Sequence, residues 1–563
     1  MLPLYLFSAF AALVAAVPAS SERRQDAGPC SGNTADDRSV WCDYDISTDY
    51  YDTVPDTGVT REYWLEITNT TLGPDGVERV VLSVNNTSPG PLIWADWGDT
   101  VVVHVSNSLS INGSSIHWHG IRQNYTVQND GVPSITQCPT VPGETYTYTW
   151  RATAYGSSWY HSHYALQAWE GVFGPVLING PATANYDVDA GSITLSDWSH
   201  QTADALYSYA QTVGPPTLST GLINGTNSYN NSGTTVGSRF EMNFEAGTSY
   251  KLRLVNVAID TYFKFSIDNH TLTVIAADFV PIVPYTTDVL SIAMGQRYEV
   301  IVTADQGAEG DYWMRATMMT ACSENDNPDD TKGIIRYDSS STADPTTTGY
   351  DYVDECVDEA ISNLVPYVSR SVDTGDSSTL PVTVAKNTDG WFKWSLGTTS
   401  MVVEWGDPTL LQIQTDSAAT FEANDAVQSL DTANSWVYYV ISTTLPVPHP
   451  IHLHGHDFYV LAQAASATYS SSVALNLSNP PRRDTVNLPA SGYVVIAFYT
   501  DNPGAWLMHC HIGWHTEEGL AVQFVERQSE IPGLLDNTTL TETCDAWNAF
   551  QTSIGLVEED SGI

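Results

Sequence analysis

Trp506-Leu507-Met508-His509-Cys510-His511-Ile512-Gly513-Trp514-His515-Thr516-Glu517-Glu518-Gly519-Leu520 packs three histidines and a cysteine into seven residues, with a leucine five positions after the last histidine. On a β-strand, side chains alternate faces with period two. His509 and His511 then point to one side and Cys510 to the other. A metal held by Cys510 and a metal pair held by the two histidines would sit on opposite faces of one strand. A few covalent bonds would separate them, which is a short path for electrons.

The stretch is repeated. Shifting residues 159–173 by 348 positions lays His161-Ser162-His163 on His509-Cys510-His511, and Glu170-Gly171-Val172 on Glu518-Gly519-Leu520. Ser162 takes the place of Cys510, and Gln167 the place of His515. The first and last parts of the chain therefore read as copies of one unit. Cys510 and His515 serve a site that the first copy lacks. The unit reads as a β-sandwich. Residues 101–105, 145–150, 192–195, 250–257, 298–303 and 493–499 are rich in β-branched and aromatic residues, several in alternation, and turn signals are frequent. No long amphipathic helical pattern competes, and only short helices are expected in the connections. Asn179-Gly180-Pro181 ends a strand-like run and closes a first unit. Residues 338–350 and 371–380 read as surface connections around a second boundary. The expected organisation is a unit at 25–181, another at 182–366 and a third at 367–563.

A chain of 563 residues is too long for one core. Its 21 Lys and Arg stand against 65 Asp and Glu, a formal net charge of −44. That balance argues against nucleic acid or an anionic membrane as a partner and fits a soluble extracellular protein. Residues 1–20 read as a signal peptide, with an apolar run from Leu2 to Val17 and the small-residue end Val17-Pro18-Ala19-Ser20. Arg23-Arg24 marks a processing site for a short pro-segment at 21–24. No later stretch reaches 18 uninterrupted apolar residues, so no transmembrane anchor is expected. Ten Asn-x-Ser/Thr sequons, at Asn69, Asn85, Asn86, Asn112, Asn124, Asn224, Asn230, Asn269, Asn476 and Asn537, favour a secreted glycoprotein. Of seven cysteines, six should pair in an oxidising compartment. The leftover is Cys510, because a metal thiolate cannot also be in a disulfide. Fifteen pairings of the other six remain open.

Four clusters hold eleven of the fourteen histidines: His117-Trp118-His119, His161-Ser162-His163, the run His449-Pro450-Ile451-His452-Leu453-His454-Gly455-His456, and His509-Cys510-His511 with His515. Four His-x-His pairs, two from each end of the chain, can bring eight imidazoles to one interface. Imidazole suits copper, zinc, iron or nickel. His449, Cys510 and His515 make a trigonal set, with Leu520 where a weak axial thioether could bind. That describes a blue-copper site without an axial ligand, and loss of the axial donor raises its potential. A lone His-x-His means little, and eight histidines with one thiolate fit no ordinary tetrahedral zinc site.

These motifs resemble the four copper motifs of multicopper oxidases, and most closely those of secreted laccases from filamentous ascomycete fungi. The resemblance covers nearly the whole chain. It implies an all-β fold of three consecutive cupredoxin-like Greek-key β-sandwich domains and a cofactor set of four copper ions. By motif, His449, Cys510 and His515 would bind the type 1 copper. His117 and His452 would bind the type 2 copper, and His119, His161, His163, His454, His509 and His511 the type 3 pair. His456 is not a family ligand, and His104, His200 and His270 read as ordinary residues. The resemblance also implies the disulfides Cys30–Cys42, Cys138–Cys544 and Cys322–Cys356.

The activity implied is that of a laccase, coupling four one-electron oxidations of phenols or aromatic amines to reduction of dioxygen to two waters. A monomer without nucleic-acid or membrane partners is expected, acting in lignin or phenolic turnover or pigment formation. Cys510 carries electrons to the cluster. Asp130, in Asn129-Asp130-Gly131, matches a family acid near the type 2 copper; an Asp-Gly turn is its plainer reading. Asp260 matches the acid of the family's phenol pocket, where a carboxylate could take the phenolic proton. The chain end Asp560-Ser561-Gly562-Ile563 is similar to the family's C-terminal plug. Rivals are a ferroxidase, an ascorbate oxidase, a bilirubin oxidase and a cupredoxin-like surface protein without copper. Leu520 in place of methionine argues against the second and many of the third, and the complete ligand set argues against the last.

Overall fold

Strand formation follows the alternation in the sequence. In Thr145–Arg151 every second residue is buried, so Tyr146, Tyr148 and Trp150 face inward and the threonines outward. The computed structural model describes residues 30–307 and 310–556. The expected signal peptide, the pro-segment and the C-terminal plug lie outside these residues.

One sheet plan occurs three times. Thr60–Leu72 runs parallel to Thr100–Asn107, which pairs antiparallel with Thr145–Arg151. Val188–Trp198 runs parallel to Ser249–Asn256, which pairs antiparallel with Arg297–Thr303. Asp376–Lys386 and Trp436–Thr443 repeat the parallel pair, and Tyr493–Tyr499 closes it. The facing sheets repeat as well, each with one parallel pair: Ile93–Asp96 with Phe173–Asn179, Glu241–Asn243 with Lys332–Arg336, and Val427–Leu430 with Ala521–Glu526. Two four-stranded sheets form the first sandwich, and a six- and a five-stranded sheet form each of the others. The fold is all-β, three cupredoxin-like sandwiches in series. The repeat seen between the first and last thirds of the sequence extends to the middle third, whose strands keep the plan but not the histidines.

Two expectations change. Residues 371–380 are not all connection: the strand Asp376–Lys386 begins inside them and pairs from Asp376 onward with Val437. The last element among the described residues is a long helix, Asn537–Ile554. Its threonines, poor helix formers, hide it in the sequence. Asp536 caps it by accepting from the backbone N–H of Thr538 and Thr539, and Gly555 ends it at φ +65°. Leu540, Cys544 and Trp547 form its buried face.

Disulfides join Cys30 to Cys42, Cys138 to Cys544 and Cys322 to Cys356, and Cys510 is a free buried thiol. The second pins the terminal helix to the first sandwich across 406 residues of chain. Cross-linking a long loop removes the most entropy from the unfolded chain. Cys138→Ala with Cys544→Ala should therefore destabilise the protein by about 2–5 kcal/mol, read as faster thermal inactivation. An unchanged half-life would mean that packing alone holds the helix.

Candidate metal centre

The strand Gly504–Cys510 is fully buried in the middle of its sheet, with His449–Leu453 on one side and Ala521–Glu526 on the other. The register sets Ile451 opposite Cys510 and His452 opposite His509. Alternation then separates two donor sets. Cys510 Sγ lies 3.8 Å from His449 Nδ1 and 3.7 Å from His515 Nδ1, and those two nitrogens are 3.3 Å apart. His515 arrives on the short helix Gly513–Glu517. Its carbonyl accepts Leu520 N at 2.9 Å, and Leu520 O accepts Cys510 N at 3.0 Å. These two bonds fold the loop back so that His515 faces the thiol and fully buried Leu520 covers it. Trp394 packs at 4.0 Å on the His515 ring and donates through Nε1 to Glu518 at 2.8 Å.

Burial holds His515 well below the usual imidazole range and His449 down at about 3, and it pushes the Cys510 thiol up. Two neutral imidazoles and a buried thiol form a trigonal set. A cation would draw the proton from the thiol and satisfy all three donors.

On the other face, eight imidazoles converge. His117, His119, His161 and His163 come from the first sandwich, and His452, His454, His509 and His511 from the third. His117 stacks on His454 and His119 on His452, each pair at 3.8 Å. His454 Nε2 and His509 Nε2 face each other at 3.4 Å. The outer nitrogens are anchored. Nδ1 of His117, His161, His452 and His509 lies 2.8–3.0 Å from the backbone carbonyls of Asp130, Ser162, Asp484 and Cys510. A carbonyl only accepts, so each of these rings carries its proton on Nδ1 and turns the Nε2 lone pair inward. His119 is reversed: its Nε2 meets Thr485 Oγ1 at 3.3 Å and its Nδ1 is free.

Nε2 of His117, His161 and His452, Nδ1 of His119 and both nitrogens of His511 are buried without a protein partner. An unmet buried polar atom costs about 1–3 kcal/mol. These six atoms lie on five rings, each of which can offer one lone pair, and five such nitrogens gathered in one place are intelligible as metal donors. The sets His117–His119–His161, His117–His452–His454, His163–His454–His509 and His449–Cys510–His515 each bring their donor atoms within 4.8 Å of one another. Burial first, then neighbouring imidazoles, holds His161, His163, His452 and His454 well below their ordinary range. They are neutral, as ligands must be.

Asp130 is fully buried among these rings. Its Oδ2 accepts from His454 Nδ1 at 2.8 Å, and its Oδ1 lies 3.3 Å from His117 Nδ1. The turn reading also applies: Gly131 has φ +82°, and a Cβ there would come within 1.8 Å of Ile116 O. The turn aims the carboxylate. Asp260 sits beside the other set. Asp197 accepts the Ile259 and Asp260 N–H groups at 3.0 Å each, and Ile259 O accepts Gly513 N at 2.9 Å, at the start of the His515 helix. Burial, then the Asp197 carboxylate, pushes the Asp260 carboxyl well up. His456 pairs with Glu526 at 3.0 Å, His104 with Glu62, His200 with Asp75, and His270 with Tyr337, all apart from the donor sets.

Sequence reasoning passed over Asp484 and Trp394. Asp484 holds His452 through its carbonyl, lies 3.3 Å from His119 Nε2 and takes a two-pronged ion pair from Arg297. Burial pushes its carboxyl up, against the pull of Arg297. Asp484 lies outside every histidine motif; the run Arg482-Arg483-Asp484 is the only trace of it.

Family models described as multicopper oxidase match residues 66–183, 189–340 and 402–530. The chain belongs to the multicopper oxidase family, and its resident metal is copper. It is 48% identical to laccase-2 of Botryotinia fuckeliana, over 99% of this chain and 97% of that one, and 50% identical to laccase-1 of the same fungus, over 97% and 95%. Among solved structures, the laccase of Botrytis aclada superposes with a TM-score of 0.90 at 47% identity, covering 94% of this chain and all of that one. Fet3p, a multicopper oxidase that functions in iron import, superposes with a TM-score of 0.79 at 25% identity, covering 90% and 97%.

Groups that orient metal-binding imidazoles typically contribute 10–100-fold to metal affinity. Asp130→Ala should therefore weaken metal retention by the histidine cluster by roughly 10–100-fold, measured as release to a chelator. Unaltered release would reduce Asp130 to a turn residue.

Proposed function

We propose that the protein is a secreted laccase, a benzenediol:oxygen oxidoreductase. It couples four one-electron oxidations of phenols or aromatic amines to reduction of dioxygen to two waters. The observation that carries this reading is the pair of donor sets on opposite faces of one strand, joined through Cys510 to its covalent neighbours His509 and His511. Four copper ions fit the donors. His449, Cys510 and His515 would hold the type 1 ion, His117 and His452 the type 2 ion, and His119, His161, His163, His454, His509 and His511 the type 3 pair. Bound copper supplies one-electron transfer at the thiolate site and multi-electron reduction of oxygen at the cluster.

The chain's own residues do the rest. The peptide from Cys510 to either histidine is the covalent route between the sites. Leu520, fully buried, carries no donor atom, so copper held by His449, Cys510 and His515 would gain no thioether from it and would be strongly oxidising. Asp130 orients His454 and His117 and stands where oxygen reduction needs protons. Asp260, raised in basicity by burial, would take the proton that a phenol loses on oxidation.

Secretion is supported by the leader-like residues 1–20 and by the sequons. Asn112 and Asn224 are half-buried and the other eight asparagines are exposed, so none is closed to a glycan. No helix among the described residues is long and apolar enough to cross a membrane. We take the protein to be a monomer, its three domains dividing at residues 181/182 and 366/367.

Oxygen uptake by the copper-loaded protein, with a methoxyphenol and with ferrous iron as separate donors, tests the function. Fast uptake with the phenol and little with iron is expected; uptake with iron alone would make the protein a ferroxidase, a reading favoured by the likeness to Fet3p. Asp260→Asn should slow phenols by roughly 10²-fold or more and leave a non-phenolic donor nearly untouched. Equal slowing of both would remove Asp260 from proton transfer. Leu520→Met, which offers a thioether, should lower the potential of the thiolate site in a redox titration. An unmoved potential would mean that the sulfur does not reach the metal.

A further inference from the structure

The first sandwich contains the outline of the thiolate site without its ligands. A shift of 335 residues carries His117 onto His452 and His119 onto His454, and a shift of 348 carries His161 onto His509. The backbone obeys both shifts. His117 pairs with His161 as His452 pairs with His509. His119 N donates to Trp159 O at 3.1 Å as His454 N donates to Leu507 O at 2.8 Å. Ser162 N donates to Val172 O, and Val172 N to Gln167 O, at 2.9 and 3.1 Å; Cys510, Leu520 and His515 make the same two bonds at 3.0 and 2.9 Å. Ser114 bridges to Thr140 as His449 pairs with Leu488. Ser114, Ser162 and Gln167 therefore occupy the positions of His449, Cys510 and His515.

These three side chains have closed on one another. Gln167 Oε1 accepts from Ser114 Oγ at 2.8 Å and from Ser162 Oγ at 3.0 Å, and Gln167 Nε2 donates to Gly113 O at 2.8 Å. Ser162 Oγ also accepts Tyr164 N at 3.2 Å. The residues are only 1%, 2% and 4% exposed. Every polar group of the triad has a partner, in contrast to the orphaned nitrogens of the histidine cluster. Ser114 lies three residues before His117, and Ser162 lies between His161 and His163. One amide thus ties together the two segments that bring the first sandwich's four imidazoles to the cluster.

We propose that the Ser114–Gln167–Ser162 triad is a mononuclear copper site converted to hydrogen bonds, in which Gln167 acts as a positioning residue. It holds the first sandwich's half of the histidine cluster as a metal would hold the third's. No charge or thiol remains to attract a cation, so the link is permanent and independent of copper supply. The inference rests on the multicopper reading of the two donor sets.

The test uses the full-length, copper-loaded protein, with copper counted in the parent first. A parent without copper in the histidine cluster would overturn the laccase reading and this inference with it. In a parent holding four, Gln167→Leu should speed copper loss from the cluster to a chelator by on the order of 10–100-fold and alter the cluster's magnetic and near-ultraviolet signature. The visible thiolate-to-copper band should be unchanged. Gln167→Glu, whose carboxyl when protonated can accept from both hydroxyls and donate to Gly113 O, should restore the parent's behaviour. Parent-like cluster copper and spectra in Gln167→Leu would overturn the positioning role alone. As a second arm, Ser114→His, Ser162→Cys and Gln167→His together should add a fifth copper and a second thiolate-to-copper band. A folded triple variant that still takes four would overturn the equivalence of the two sites.

Discussion

The antiparallel register between His449–Leu453 and Gly504–Cys510 governs both donor sets, because side chains of one strand alternate between them. A slip of one residue would turn Cys510 toward the imidazole cluster and His509 toward His449 and His515. The register is held on both flanks. Trp506, Leu507 and Met508 are fully buried, each contributing about 1.5–3 kcal/mol through burial, and neighbouring strands pair with both members. The loop bonds of Cys510 and Leu520 then set the last ligand. The fine geometry of a metal site thus rests on the least specific force in the protein, burial of apolar surface.

The histidine cluster is also an interface. Half its imidazoles belong to the first sandwich and half to the third, and the second sandwich supplies Arg297, which grips Asp484 from the third beside His119 of the first. Tyr50 reaches Asp457, Arg122 reaches Asp501 and Arg370 reaches Asp49 around the same junction. Buried ion pairs contribute little net stability after desolvation, but breaking one strands a charge, so they penalise misdocking. Metal held between the two halves adds its binding free energy to their association.

The strands and the convergence of the four histidine clusters were legible in the sequence because each rests on local periodicity or on rare residue types at fixed spacing. The segments 101–105, 145–150 and 493–499 each fall within a strand. Cys510 could be separated from His509 and His511 by parity alone. What stayed hidden depends on partners far away in the chain. Asp484 gains its place only when Arg297, His119 and His452 meet, and Trp394 only when the His515 helix folds against it. The terminal helix was masked by threonines whose local preference is outweighed by burial of Leu540, Cys544 and Trp547. The internal repeat did not reveal the middle copy, because its backbone plan survives without the histidines that marked the other two; it entered through its strand segments at 192–195, 250–257 and 298–303 and through the family resemblance.

The bond between Cys138 and Cys544 has a consequence in time. At synthesis rates of about 5–20 residues per second, the 406 residues between them take roughly 20–80 s to appear. The first sandwich can be complete once its last strand, Phe173–Asn179, has emerged, and from then until Cys544 appears Cys138 has no native partner. The correct bond is the last of the three to become possible, because Cys544 follows every strand of the third sandwich. The bond can therefore form only in a chain that already carries both halves of the histidine cluster, and it ties the last helix back to the first of them.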